Sequence, residues 1–256
     1  MPPQARVDDE AELAVLDFSH ETRAPTDASD EISQGWLKRR QALAGLHVAL
    51  DDNVGKILDA LEREGLSNDT VVIFLNDNGG PMYTGVQSNG PLRLGKLFLF
   101  EGGVRVPMIV RWPGVVAPKT VFEAPTSSLD VFPTACGAAR IELPDAVELD
   151  GVNLLPFLSG KKDDVPHEIL FWRNGPNVAV RKGHWKLIKS YENVWLFDLA
   201  QDCGEQQNLA KTRPDIVRQL EMELLQWKAQ MSKPAWPSKP QRRKVPVDDM
   251  IYELNI

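Results

Sequence analysis

Three groups of residues have the types and spacing to do chemistry. The first is Asn76-Asp77-Asn78-Gly79-Gly80, directly after the apolar run Val71-Val72-Ile73-Phe74-Leu75. A carboxylate beside a carboxamide offers hard oxygen donors, which suit Ca²⁺ or Mg²⁺. In open α/β sheets, ligands gather outside the carboxyl ends of the strands, where this segment would lie. Two donors do not fill a coordination shell, so further ligands would have to come from elsewhere. Spacing alone favours a plainer account, an Asx turn, because Asn, Asp and Gly build turns in many proteins. The second group runs from Asn89 to Lys96 and from Glu101 to Pro107. A lysine after a glycine on a loop, as in Gly95-Lys96, can meet an anionic oxygen as a compact point charge. Taken singly, a solvated surface lysine is the commoner outcome. Glu101 and Arg105 are expected to pair and fix the loop. The third group is the histidines, His20, His47, His167 and His184, none at a metal-binding spacing from another. His47 falls within a helical period, His184 in a hairpin turn, and His167 after Pro166 in a loop. No Gly-x-Ser-x-Gly, P-loop or dinucleotide fingerprint is present.

The elements around these residues read as an α/β unit followed by an antiparallel one. Leu13 to Phe18 is a short apolar run that fits a strand, and Thr22 to Ser33 reads as a loop. From Trp36 to Glu64, Leu43, Leu46, Leu50, Val54, Ile57, Leu58 and Leu61 fall on one stripe at helical steps. Gly65 follows as a left-handed cap. The run at 71–75 suits a strand covered on both faces, as in a parallel sheet. The glycine-rich segment 76–103 has little periodicity, and a loop this long in a compact domain is usually functional or mobile. Val104 to Trp112 is a second strand, at an edge or beginning after Pro107. Leu129 to Ala139 reads as a short helix capped by Ser127 or Ser128.

After about Gly160 four short strand-like runs, 169–172, 178–181, 185–189 and 194–197, are separated by close turns. This pattern predicts an antiparallel meander. Pro214 opens an amphipathic helix. The tail from Ser232, with four prolines and Arg242-Arg243-Lys244, is expected to be extended and draped. The expected organisation is therefore an α/β core portion over residues 1–160, an antiparallel subdomain with a helix over 161–231, and the Pro-rich tail over 232–256.

Composition narrows the function classes. The 256 residues are 43% hydrophobic and 25% charged, which is ordinary for a globular protein with a sizeable core. Lys plus Arg number 29 against 36 Asp plus Glu, a net charge of -7. So acidic a chain is not expected to bind nucleic acid over a broad face. No apolar run approaches the roughly 20 residues of a membrane span. The first residues lack the apolar stretch of a secretory signal. Cys136 and Cys203 make neither a disulfide framework nor a metal cluster.

Nine blocks in order resemble the formylglycine-dependent sulfatase family, within the alkaline-phosphatase-like superfamily, over about residues 35 to 230. They are Leu50-Asp51-Asp52-Asn53-Val54-Gly55, Val72 to Gly79, Gly90-Pro91-Leu92-Arg93-Leu94-Gly95-Lys96 and Glu101 to Pro107. Arg111-Trp112-Pro113-Gly114, Leu129 to Thr134, Leu149 to Leu155, Val180 to Leu187, and Leu196 to Leu199 running on to Glu205-Gln206-Gln207-Asn208-Leu209 complete the series. The resemblance implies the alkaline-phosphatase-like α/β fold with a small C-terminal antiparallel sheet and helix. It implies that Asp77 and Asn78 ligate calcium and that Lys96 holds the sulfate ester as a catalytic and substrate-binding residue. This reverses the readings that spacing alone favours for those three residues. A sulfuryl group spreads negative charge that a cation and a lysine stabilise.

The family's catalytic core begins with an Asp-Asp metal pair and a Cys/Ser-x-Pro-x-Arg motif whose first residue is oxidised to formylglycine. The chain is read as having neither. Asp8-Asp9 and Asp51-Asp52 stand in a different context, and Cys136-Gly137-Ala138-Ala139-Arg140 lacks the proline, so Cys136 reads as a buried structural cysteine. His20 lies where the family has a sulfate-contacting histidine, without the proline two residues on, and is carried as a further catalytic candidate. The expected activity is sulfuric ester hydrolysis, on an aryl or carbohydrate sulfate, with this chain a C-terminal part inactive alone. Two alternatives stay open: a non-catalytic binder of sulfated ligands, and a subunit complementing a separate N-terminal half. A phosphoesterase of the same superfamily is the weaker rival. The family suggests a periplasmic or extracellular setting. A sheet edge bared by a missing half would favour self-association.

Overall fold

The computed structural model describes residues 30–82, 85–143, 148–232 and 242–255. The expected strand at 13–18 and His20 lie outside them. The chain divides into two compact units. The smaller is built on α1, Asp30–Arg63, which begins inside the segment read as a loop. It ends as the sequence predicts. Gly65 takes φ 71°, its N–H donates to Glu62 O at 3.0 Å, and Leu66 N–H donates to Leu61 O at 2.8 Å. This is a Schellman closure, which needs a left-handed residue at that place. Within this unit Trp36 Nε1 donates to Gly85 O, and Trp112 Nε1 to Asn68 O, each at 2.8 Å. The helical stripe is less buried than its periodicity implies, with Leu50 48% and Ile57 59% exposed.

The larger unit carries three small sheets. β1, Val72–Leu75, pairs with β2, Met108–Arg111, with Val72 opposite Arg111 and Leu75 opposite Met108. The pairing is antiparallel and β1 is half-buried throughout, so the parallel strand covered on both faces is not what forms. An unbroken β-branched run reports strand propensity but not the direction of its partner. Pro107 has no N–H to give a ladder, and β2 begins after it, as expected.

The meander forms with the predicted turns. β3 (Ile169–Asn174), β4 (Asn177–Lys182), β5 (Trp185–Ser190) and β6 (Asn193–Asp198) are hydrogen-bonded in chain order, all antiparallel. Alternate residues feed two cores, because successive strand side chains point to opposite faces. Val178, Val180, Leu187 and Leu196 pack with Leu220 and Leu224 of the helix Pro214–Gln230. Ala179, Ile188, Trp195 and Phe197 face the other way, onto Leu99, Phe100, Val247 and Tyr252. Between the sheets, Ser127 caps a 3₁₀ turn, Ser128–Asp130, that runs into the helix Val131–Ala138. Cys136 on that helix is free and partly exposed rather than buried, and Cys203 is free and exposed.

The tail is the largest departure from expectation. Arg242–Val247 (β7) and Met250–Asn255 (β8) form an antiparallel hairpin instead of an extended strap. Val247 and Tyr252 are buried, so this segment belongs to the core of the larger unit. The signal was present in two apolar-containing runs around Asp248-Asp249. The prolines and the basic cluster outweighed it in composition.

Candidate functional site

The Asp77-Asn78 and Lys96 segments are about twenty residues apart in sequence, yet the backbone locks them together. Gly80 N–H donates to Asn89 Oδ1 at 2.8 Å, and Asn89 Nδ2 returns bonds to Gly80 O at 3.0 Å and Leu94 O at 2.9 Å. Lys96 N–H donates to Gly80 O at 3.2 Å, and Gly79 N–H to Gly103 O at 3.0 Å. One carboxamide thus ties the loop after β1 to the loop carrying Lys96. The approach is so close that a Cβ at Gly95 would lie 2.2 Å from Gly80 O, and one at Gly102 would lie 2.2 Å from Leu94 O. Sequence reasoning quoted Asn89 within a block and gave it no role. Its three bonds are all to backbone, which no side-chain pattern reveals.

Either side of Gly95-Lys96 the backbone is held where side chains rarely go. Leu94 takes φ 58° and Leu97 φ 82°. Left-handed non-glycine residues cost of order 1–3 kcal/mol each and persist where the surroundings over-determine them, which is common at ligand-holding sites. The Lys96 side chain is half-buried and has no ion pair or hydrogen bond among the described residues.

The donors present suit calcium in kind and fall short in number. Asp77 is exposed, and its carboxylate has no partner among the described residues. Asn78 Nδ2 donates to Gly79 O at 2.9 Å, which leaves its carbonyl oxygen available. Gln87 contributes a buried Oε1 with no hydrogen-bond partner, close enough to Gly80 that a Cβ there would meet it at 2.7 Å. Carboxylate and carboxamide oxygens are calcium's preferred ligands, and six to eight are needed. Among the described residues no group of three or more His, Cys, Asp or Glu could hold a metal ion.

Beneath the Lys96 loop lies a buried charge cluster. Glu101 opens the short helix Glu101–Val104 and is fully buried. Its Oε1 accepts from Lys186 Nζ at 2.7 Å. Lys186, on β5, also stands 3.1 Å from Glu205 Oε1, and Glu205 Oε2 accepts from Glu101 N–H at 2.7 Å. Arg105 does approach Glu101, at 3.9 Å, and Arg181 at 3.8 Å, so the expected Glu101–Arg105 pair is the outer part of a larger arrangement. Burial pushes the Glu205 carboxyl up from 4.5 to about 7 against the pull of the Lys186 ammonium, and the adjoining Glu101 charge adds to the rise. Lys186 lies between the two carboxylates, and its pull on Glu205 does not offset the cost of burying that charge.

A pH dependence follows with a definite sign. A carboxyl whose folded value is raised binds more protons in the folded state than in the unfolded one between pH 4.5 and about 7. Its stabilising contribution is complete below pH 4.5 and is lost as pH rises through about 7. Urea unfolding at pH 5 and pH 8 is expected to show a loss of roughly 2–3 kcal/mol, much reduced in Glu205→Gln. Equal slopes in the two proteins would exclude the assignment.

The histidines separate. His47 is exposed on α1. His167 Nε2 lies 2.8 Å from Asp130 Oδ1, and Asp130 also accepts from Ser127 N–H at 2.7 Å and Val152 N–H at 2.9 Å. His167 and His184 line one cleft of about 300 Å³ together with Arg181. His20 lies outside the described residues.

These features match a known family. The sulfatase family model matches residues 11–141, and the model for the C-terminal region of N-sulphoglucosamine sulphohydrolase matches residues 93–230. The chain belongs to the sulfatase family, and its fold is of the α/β, alkaline-phosphatase-like class. A sulfatase of Formosa agariphila is 34% identical over 212 residues, covering 70% of this chain and 38% of the relative. The N-acetylgalactosamine-6-sulfatase of Mus musculus is 36% identical over 179 residues, 68% of this chain and 34% of the relative. The crystal structure of Ps i-CgsB in complex with k-i-k-neocarrahexaose superposes with a TM-score of 0.73 at 28% identity, over 92% of this chain and 49% of that one. The chain therefore spans less than half the length of these relatives.

One sequence reading needs correction here. Ser238-Lys239-Pro240-Gln241-Arg242 does spell Ser-x-Pro-x-Arg. It follows the family blocks instead of preceding them, and residues 238–241 lie outside the described residues. No helix among the described residues is long and apolar enough to cross a membrane.

Proposed function

We propose that this chain supplies the calcium-and-lysine side of a sulfatase active site, acting on an aryl or carbohydrate sulfate ester. The observation that carries the reading is the lock through Gly80 and Asn89, which joins the Asp77-Asn78 loop to the Lys96 loop. In this reading Asp77 and Asn78 hold Ca²⁺ through their oxygens, with the remaining ligands coming from elsewhere. Bound calcium supplies a positive charge against the sulfate oxygens. Lys96 Nζ donates to a sulfate oxygen and stabilises charge that grows as the ester bond breaks. The formylglycine precursor does not precede the family blocks, so the nucleophilic step falls to residues outside them, and the chain does not turn over alone. His20 is retained as a second sulfate-facing group. The carbohydrate option draws support from relatives named for N-acetylgalactosamine-6-sulfate and for a complex with a neocarrahexaose.

Titration of the 256-residue chain with Ca²⁺ and with inorganic sulfate tests this reading. Both are expected to raise Tm. Lys96→Ala is expected to weaken sulfate binding about 10- to 100-fold, the range for a lost hydrogen bond to a charged group. Asp77→Ala is expected to remove the Ca²⁺ response. Indifference of the chain to both ions would overturn the site. Release of sulfate from an aryl sulfate by the purified chain, lost in Lys96→Ala, would overturn the claim that it does not turn over alone.

A further inference from the structure

We propose that the C-terminal hairpin is a working part of the Lys96 site, with Tyr252 and Asp248 as positioning residues for the loop that presents Lys96 to an anion. The proposal rests on the reading of Lys96 as the sulfate-holding residue. The hairpin, residues 242–255, lies beyond the stretches matched by either family model, which end at 141 and 230.

The hairpin grips the loop on both sides of Lys96. On the N-terminal side, the Arg93 guanidinium forms a two-pronged pair with Asp248, NH2 to Oδ1 at 2.5 Å and NH1 to Oδ2 at 3.2 Å. The same NH1 donates to Glu205 O at 2.7 Å, so Arg93 joins the hairpin to the segment above the buried charge cluster. On the C-terminal side, Leu99 N–H donates to the Tyr252 hydroxyl at 3.3 Å, and both groups are buried. The Tyr252 ring stands 5.1 Å from that of Phe98 and 6.0 Å from that of Phe100. The anchors at Arg93 and Leu99 bracket the part of the chain that contains Leu94 and Leu97, both left-handed non-glycine residues. A strained conformation of that kind needs fixed ends.

The hairpin is itself held from the opposite side, which lets it act as a rigid support. Asn177 Nδ2 donates to Glu253 O at 2.6 Å, Glu253 N–H donates to Ser190 Oγ at 3.0 Å, and Asn193 Nδ2 donates to Ile251 O at 3.0 Å. β8 is thus clamped to the meander while its tyrosine and the turn aspartate reach the Lys96 loop. A bidentate arginine–carboxylate pair adds geometric definition beyond its charge.

The test measures two properties of the 256-residue chain and its Tyr252→Phe and Asp248→Asn variants: amide hydrogen exchange at Lys96, and the Kd for inorganic sulfate well below the melting temperature. Tyr252→Phe is expected to speed Lys96 exchange about tenfold, with β5 amides unchanged. It should weaken sulfate binding about fivefold, the effect of one neutral hydrogen bond. Asp248→Asn is expected to act in the same direction and less, because Arg93 keeps its bond to Glu205 O. Unchanged exchange and unchanged Kd would overturn the proposal. Faster exchange with an unchanged Kd would also overturn it, since the hairpin would then be structural alone. If the wild-type chain and Lys96→Ala respond alike to sulfate, the Lys96 reading itself fails and the proposal falls with it, whatever the exchange rates show.

Discussion

The Lys186→Met variant is expected to lose about 3–5 kcal/mol of unfolding free energy, the range for breaking a buried ion pair by removing one partner. Lys186 is 0% exposed, and its ammonium lies between Glu101 Oε1 at 2.7 Å and Glu205 Oε1 at 3.1 Å, over the Trp172 ring at 5.8 Å. The other cations beside the cluster, among the described residues, stand outside hydrogen-bond distance. Arg181 and Arg105 stand 3.8 and 3.9 Å from Glu101 Oε2, which makes no hydrogen bond, and burial pulls the Arg181 guanidinium below its ordinary value. Without Lys186, two buried carboxylates face each other across the Glu101 N–H to Glu205 bond. The cost lies in the abandoned charges more than in the lost pair, so removing all three should cost far less than removing one. The combined Lys186→Met, Glu101→Gln, Glu205→Gln chain is expected to recover most of the loss in urea unfolding. A single Lys186→Met chain as stable as wild type would show that the cluster is hydrated in solution.

That cluster marks the limit of what the sequence discloses. Lys186 sits in Trp185-Lys186-Leu187-Ile188-Lys189, on the same strand face as Ile188, yet its residue type argues against burial because lysine is rarely buried. Its partner Glu101 is 85 positions away, and nothing local announces the pairing. The meander was legible because its information is local: Gly175 at φ 59° and Gly183 at φ 58° supply the left-handed residues of two of its close turns. The third turn puts Tyr191 at φ 53°, a residue no turn rule selects. Gly65 was legible for the same reason that Asn89 was not. A helix cap is decided within one turn of chain, whereas Asn89 acts by spanning two loops that meet only in the fold. Asp77, Asn78 and Lys96 were reached through resemblance to a family, since spacing alone favoured a turn and a solvated side chain.

The Gly79→Ala variant is expected to separate those two loops. A Cβ at Gly79 would lie 1.7 Å from Gly102 O, 2.8 Å from Gly102 C and 3.2 Å from Gly103 Cα. These are backbone atoms, and they have nowhere to retreat. The positions behind them are equally tight: a Cβ at Gly102 would already strike Leu94 O at 2.2 Å, and one at Gly103 would strike Phe98 O at 2.1 Å. Relief must come from moving the Asp77-Asn78 loop away, which breaks the Gly79 N–H bond to Gly103 O. Overpacking costs typically 1–3 kcal/mol where side chains can yield. Against rigid backbone the expected loss exceeds about 3 kcal/mol, with the Ca²⁺-dependent rise in Tm abolished. The meander has its own core with the helix Pro214–Gln230, so β5 amides should stay protected in the same sample. Near wild-type stability with an intact calcium response would mean that the loop after β1 does not rest on the Glu101–Val104 helix in solution. The join between the metal-binding and lysine loops would then lose its physical basis.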